Sequence, residues 1–240
     1  MSSYQFKEHD EEGLHTLEAI SLAHHFNAWM FEQVQPFMNG RILEIGSGIG
    51  NISQYFIDAK SDIVLSDIRE EYCNALHKKF PKSEVLNLDL VHPDFDNVYN
   101  HLQGSFDSCF AMNVIEHIED HHLAMKNLVS LLKVGGKVLI LVPAGPWLYN
   151  DIDKGLFHYR RYTAQSMHSL FEAAHLPIQK EWRFNALGIP AWFLGGKVMK
   201  KKEVEGGQMN FYNKLVPLAR LLDVVSFRKV GLSIIAVGSK

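Results

Sequence analysis

Arg41-Ile42-Leu43-Glu44-Ile45-Gly46-Ser47-Gly48-Ile49-Gly50 carries an apolar strand into a carboxylate and then into three glycines at alternate positions. Glycine tolerates positive φ and lets the backbone approach a ligand. The stretch therefore reads as a nucleotide-type cofactor loop that hands the chain to a helix N-terminus from Asn51. Glu44 narrows the ligand. A carboxylate at the mouth of the loop repels a pyrophosphate, and Asn51 stands where the third glycine of the dinucleotide G-x-G-x-x-G spacing belongs. A ligand with cationic groups for Glu44 and a carboxylate of its own for the loop amides meets both demands. Taken alone, the glycine run is equally compatible with a structural tight turn or another nucleotide.

Upstream, Leu14, Leu17, Ala23, Met30 and Val34 recur at roughly helical spacing as far as Pro36, which predicts a helix before the first strand. Downstream, strands and helices alternate. Strands are expected at 42–45, 62–66, 84–88, 106–112 and 137–142, and helices at 52–59, 70–80 and 120–132, with Gly135-Gly136 turning the chain into the fifth strand. This order predicts a parallel sheet wound on both faces, with ligands beyond the carboxyl ends of its strands. Asp67, followed by Ile68, ends the second strand 21 residues after Gly46, where an acid accepts hydrogen bonds from both ribose hydroxyls of a nucleoside. Asp89 ends the third strand, placed for an adenine edge with Leu90 against the ring, and Asn113 ends the fourth. Each of these residues alone also reads as a turn former or helix cap. Together and in this order they point to S-adenosylmethionine, whose sulfonium and ammonium groups suit Glu44.

At 240 residues and a net charge of −3, the chain suits one large domain with an elaboration and gives no general electrostatic reason to bind nucleic acid. Cys73 and Cys109 are too few for a disulfide framework, so a reducing cytoplasm is the expected compartment. No signal peptide is read at the polar N-terminus. The most apolar run, 184–199, is broken by Gly188, Pro190, Gly195 and Gly196 and falls short of the roughly 20 residues a membrane span needs.

Several of these stretches resemble the class I S-adenosylmethionine-dependent methyltransferases: the run from Leu43 to Gly50, Asp67, Asp89, Asn113-Val114-Ile115-Glu116-His117-Ile118, and Leu132-Lys133-Val134-Gly135-Gly136-Lys137-Val138. The likeness covers roughly residues 35–145. It implies a Rossmann-like, doubly wound α/β fold whose seven-stranded sheet is mostly parallel and ends in an antiparallel hairpin, for which 178–184 and 232–238 are the fitting stretches. It implies that Glu44, Gly46, Ser47, Gly48 and Gly50 surround the methionine part of the cofactor and that Asp67 and Ile68 meet the ribose. Asp89 and Leu90 would flank the adenine, Asn113 and Val114 line the cofactor, and His117 lie near the sulfonium. The Glu116-His117 pair is similar to that of ubiquinone-type and other small-molecule methyltransferases. Phe26-Asn27-Ala28-Trp29 and the stretch His158-Tyr159-Arg160-Arg161-Tyr162-Thr163 resemble a bacterial subgroup often found beside or fused to glycosyltransferases. On this reading a single methyltransferase domain divides into an N-terminal helical segment (1–38), a cofactor-binding core (39–184), a helical insertion (185–229) and a last strand (230–240).

Methyl transfer is an in-line displacement on an activated carbon, so holding the acceptor close and aligned supplies much of the catalysis. A base is needed when an oxygen acceptor must lose a proton, and His158 and His117 are the candidates. His117 also reads as a packing residue of the cofactor site. Tyr159, Arg160 and Arg161 read either as a clamp for an acceptor carboxylate or phosphate or as a solvated stretch before a helix capped by Thr163. Trp147, Tyr149 and Asp151 read as an aromatic lid over the acceptor. His117, Glu119, Asp120, His121 and His122 resemble a metal cluster. However, the catechol-type magnesium enzymes carry aspartate where this chain has Asn113, so no metal is expected. Asn113-Val114-Ile115-Glu116 likewise departs from the Pro-Pro-aromatic pattern of nucleic-acid amino-methyltransferases. The insertion carries two apolar parts around the basic run Lys197 to Lys202. It reads as a cap over an apolar acceptor pocket, as a homodimer face, or as a peripheral membrane contact. The expected function is methyl transfer to a small, partly apolar acceptor, at oxygen, in bacterial secondary or envelope metabolism. The alternative is a non-catalytic cofactor-binding or scaffold subunit that uses the insertion to bind a partner or membrane.

Overall fold

The computed structural model describes residues 11–201 and 203–240. The first ten residues of the N-terminal segment and Lys202 of the basic run lie outside them. Where one N-terminal helix is expected there are two, α1 (Glu11–Ser21) and α2 (His24–Val34). The break has a local cause: buried Asn27 donates its side-chain amide to Ile20 O at 2.9 Å, and Ala23 leaves helical geometry at ψ 65°. The chain then alternates through β1 (Ile42–Ile45), α3 (Ser53–Asp58), β2 (Ile63–Asp67), α4 (Glu70–Lys79), β3 (Val85–Asn87), α5 (Phe95–Val98), β4 (Phe106–Met112), α6 (His121–Leu131) and β5 (Leu132–Pro143). After α7 (Asp151–Gly155) and α8 (Ala164–Ala173) come β6 (Ile178–Phe184), α9 (Gly188–Phe193), α10 (Gly206–Val225) and β7 (Ser233–Ser239).

The seven strands form one sheet in the order β3-β2-β1-β4-β5-β7-β6, parallel except for β7, which runs antiparallel to both β5 and β6. Successive side chains of a strand point to opposite faces, and here both faces are covered. Leu43, Val64, Cys109, Ile140 and Ala236 pack with Leu128, Met167 and Phe171 on one side. Ile42, Leu65, Phe110, Leu139 and Ile235 pack with Trp29, Phe56, Leu76 and Ala219 on the other. β5 starts earlier than expected. It pairs Leu132 with Phe106 and next Lys137 with Ser108, so residues 133–136 bulge outward around Gly135 at φ 79°. The glycines make a bulge inside the strand rather than a turn before it, which leaves Val134 94% exposed.

The insertion folds back on the N-terminal helices. α10 presents Met209, Tyr212, Val216, Ala219 and Asp223 inward, and Arg220 makes a two-pronged ion pair with Glu32 of α2 at 2.6 and 3.0 Å. Pro217 lies within α10 and cannot donate to Asn213 O, which instead lies 3.4 Å from His25 Nδ1. Asp223 accepts the backbone amides of Asn185 and Ala186, both at 2.8 Å, and so ties α10 to the end of β6.

Candidate active site

At the carboxyl ends of β1, β2 and β4 the glycine loop opens onto a cavity of about 710 Å³. Gly46, Gly48 and Gly50 all adopt positive φ. A side chain at Gly46 would also collide with Val114, and one at Gly50 with Phe80. Gly46, Ser47 and Gly48 line the cavity, whereas Gly50 is turned onto Phe80 and Leu76. Its expected place beside the ligand is therefore corrected: that glycine serves packing. Glu44, 4% exposed, accepts hydrogen bonds from Ser47 at 3.1 Å and from Ser53. Burial pushes its carboxyl up to about 7, against the two serine hydroxyls, and the charge of Asp67 adds to the rise.

Asp67 accepts the amides of Gly48 at 2.9 Å and Arg69 at 3.0 Å, one on each oxygen. A carboxylate has about four acceptor positions, so capacity remains on both oxygens. Ile68, Asp89, Leu90, Asn113 and Val114 line the same cavity, as expected. Asn113 sits at φ 54°, a conformation that asparagine tolerates better than most residues, and its amide donates to Leu141 O at 2.8 Å. Arg69, Tyr72, and the α1 residues Thr16, Leu17 and Ile20 also line it; sequence reading did not single these out for the site. The arrangement sets hydrogen-bond-accepting carboxylates along apolar walls. That suits a nucleoside bearing cationic groups.

Across the cavity, His158 lies in the connection after β5 with its side chain 6% exposed. Its Nδ1 is 2.8 Å from Asp153 Oδ1, and its backbone amide donates to Asp153 O at 2.8 Å. Asp153 was not foreseen as a site residue. Its buried carboxylate also accepts Arg161 Nε at 2.8 Å, Asn150 N at 3.0 Å and Trp192 Nε1 at 3.1 Å. Burial raises its carboxyl, but the hydrogen bonds and charges of His158 and Arg161 outweigh that and hold it below the ordinary range. The one local trace of this in the sequence is Asn150-Asp-Ile-Asp153, the capping box that starts α7. The partner histidine and Trp192 arrive from elsewhere.

Several expected roles are corrected. Arg161 lines the cavity, but its guanidinium is buried and bonded to Asp153 and to Ala144 O. Arg160 donates to the carbonyls of Ile118 and Glu119. Arg160 is committed to those carbonyls and off the cavity wall, whereas Arg161 lines the cavity and keeps its Nη2 buried without a hydrogen-bond partner; Thr163 caps α8, as the other reading held. Trp147 is 61% exposed and off the cavity wall, and Asp151 pairs with Lys154 at the surface. Tyr149 and Tyr159 do line the cavity, and the Tyr149 hydroxyl donates to His158 O at 2.7 Å.

His117 also lies on the cavity wall, its ring edge-on to that of His158 at 4.7 Å between centroids. Burial, aided by the charges of His158 and Arg69, depresses it to about 3. This depression makes His117 a weaker proton acceptor and favours His158 for the base role. Glu116, His117 and His158 each bring one ligand-type atom within 4.8 Å of the others, a different grouping from the His117 and His121 pair. His117 is hydrogen-bonded to the backbone at Asn113 and Leu156, and His158 Nδ1 is held by Asp153. His121 Nδ1 lies 2.7 Å from the Tyr162 hydroxyl instead. Both oxygens of Glu116 are buried without a hydrogen-bond partner, and burial pushes its carboxyl up to about 8, against the charge of Arg161.

The strand order with its reversed seventh strand, and the glycine loop above a buried carboxylate, match the fold of class I S-adenosylmethionine-dependent methyltransferases. Residues 43–140 match the methyltransferase domain family. A ubiquinone biosynthesis O-methyltransferase of Xanthomonas axonopodis is 22% identical over 164 residues, covering 63% of this chain and 66% of that protein. A tRNA U34 carboxymethyltransferase of Syntrophotalea carbinolica is 28% identical over 149 residues, covering 61% and 44%. The chain thus spans less than two thirds of the length of these curated relatives. Among solved structures, a methyltransferase of Thermotoga maritima superposes with a TM-score of 0.63 at 18% identity over 93% of this chain and 94% of that one, which shows the shared fold.

Proposed function

We propose that the protein transfers a methyl group from S-adenosylmethionine to an oxygen of a small, partly apolar acceptor. The observation that carries this reading is the pairing of His158 with Asp153 on the cavity wall opposite the glycine loop. When bound, the cofactor supplies a methyl group already activated on a sulfonium. Glu44 and the glycine loop would hold its methionine part, Asp67 its ribose, and Asp89 with Leu90 its adenine. Asp153 would keep the His158 proton on Nδ1, leaving Nε2 to accept the proton of the acceptor hydroxyl as the oxygen–carbon bond forms, the methyl–sulfur bond breaks and S-adenosylhomocysteine leaves. Tyr149, Phe157, Tyr159 and Trp192 line the cavity near His158 and favour an acceptor with an apolar or aromatic body. The ubiquinone-type relative supports an oxygen acceptor.

His158→Ala is expected to keep cofactor affinity and to lower turnover of hydroxylated aromatic acceptors by roughly 10²- to 10⁴-fold, the usual worth of a general base. Steady-state rates across a panel of phenols and hydroxy acids test it, and wild-type turnover in the variant would dismiss His158 as the base. Asp67→Ala is expected to weaken S-adenosylhomocysteine binding by about 1 to 3 kcal/mol through lost charge-assisted hydrogen bonds. Calorimetric titration measures this, and an unchanged affinity places the ribose elsewhere.

A further inference from the structure

α10 is apolar on two opposite sides, and the protein covers one. Inward, Met209, Val216 and Ala219 are buried. Outward, Phe211, Leu218, Leu221 and Val225 follow one another at helical spacing and are 65%, 48%, 57% and 64% exposed. The turn that follows extends this face. Phe227 is 82% exposed at φ 52°, left-handed backbone that a bulky residue rarely adopts. The turn is nonetheless ordered. Phe227 N donates to Val224 O at 3.0 Å, Arg228 N to Asp223 O at 2.8 Å, and Arg183 N to Arg228 O at 2.8 Å. An aromatic ring is thus held outward on a fixed turn with no packing role inside the chain.

Charge selects the occupant. From Gly206 to Leu232 the single acid is Asp223, which is 4% exposed and bonded to two backbone amides. The same stretch exposes Lys214, Arg228 and Lys229. An apolar stripe whose own helix and turn expose cations and no acid, with Glu32 of α2 paired to Arg220, matches an acidic bilayer, with rings and aliphatic side chains at the acyl boundary and ammonium groups among the headgroups. A second copy joined face to face by a two-fold axis would bring these cations together.

We propose that the outer face of α10 and the 226–230 turn dock this protein in the plane of an anionic phospholipid surface. No helix among the described residues is long and apolar enough to cross a membrane, so the contact is interfacial. α10 packs on α1, which lines the cavity, so docking brings the cavity close to the bilayer.

The test is sedimentation of the full chain with vesicles of phosphatidylcholine mixed with phosphatidylglycerol, and with vesicles of phosphatidylcholine alone. Wild type is expected to partition about tenfold or more in favour of the mixed vesicles at low salt, with most of this preference lost at high salt. Leu221→Asp with Val225→Asp, and separately Lys214→Glu with Lys229→Glu, are each expected to reduce binding about tenfold or more. These positions lie off the inward face, so the unfolding midpoint and S-adenosylhomocysteine titration of both variants are expected to match wild type. Equal sedimentation of wild type and both variants overturns the proposal. So does a wild-type dimer, seen by light scattering, that the aspartate pair dissociates while no form binds vesicles; that result would give the face to a second copy.

Discussion

Asp153→Ala is expected to destabilise the protein by about 3 to 5 kcal/mol, the scale for removing one partner of a buried ion pair. The side chain is wholly buried and accepts hydrogen bonds from Arg161, His158, Asn150 and Trp192. Removing it leaves the Arg161 guanidinium without its carboxylate in a dry site, which is the dominant cost. The sign with pH follows from the lowered carboxyl. The contribution is complete above the unfolded-state value near pH 4 and is lost as acid protonates Asp153 in the folded protein. Asp153→Asn keeps the shape but not the charge, so it too is expected to lose stability through the unpaired Arg161, and it no longer fixes the His158 proton on Nδ1. Turnover is expected to fall by about two orders of magnitude, with cofactor affinity unchanged. Adding His158→Ala to Asp153→Asn should cause little further loss, because the two act as one unit. Denaturant unfolding and steady-state kinetics decide this. A stable, fully active alanine variant would sink the proposed pairing.

The opposite trade is expected at Glu44. Its carboxyl is raised from 4.5 to about 7 by burial, so the folded protein holds a proton that the unfolded chain has released. The resulting penalty is absent in acid, grows between those two values and is complete above pH 7, where it amounts to about 3 kcal/mol. Glu44→Gln removes it. The variant is expected to be more stable by up to about 3 kcal/mol at pH 8 and little changed near pH 4.5. The same change deletes the charge proposed to meet the ammonium of the cofactor, so S-adenosylhomocysteine affinity is expected to drop by about 1.5 to 3 kcal/mol. In the wild type, binding should weaken as pH falls through 7, because the bound form needs Glu44 ionised. Unfolding curves at two pH values, with calorimetry on the same samples, test both halves. Equal stability together with equal affinity would remove Glu44 from the site.

These two residues also show where sequence is readable. Glu44, the glycines and Asp67 are legible because each is fixed by its neighbours along the chain: strand, turn and helix start within a few residues. Asp153 has a local meaning as the acid of a capping box, but its function depends on Arg161 and Trp192, which the fold delivers from different segments. Arg160 and Arg161 looked available for a ligand because sequence shows a charge but not its destination. Here that destination is Asp153 and the carbonyls of Ala144, Ile118 and Glu119. The glycines at 135 and 136 were placed at a turn because a glycine pair marks departure from regular geometry. Only the pairing of β4 with β5 tells a bulge from a turn. The last hairpin came from family likeness, since antiparallel pairing of distant segments leaves no local mark.

Leu232 N donates to Asn185 O at 3.0 Å, so the chain leaves the sheet and returns to it at one hydrogen-bonded doorway. The segment between is no loose appendage: Val216 and Ala219 of α10 fill the core cluster that includes Trp29, Asp223 holds the end of β6, and Trp192 and Val204 reach the cavity wall. An exchange of this segment must therefore refill the core and re-form the hydrogen bond to Asp153, so what reaches the cavity changes only together with the packing beneath it.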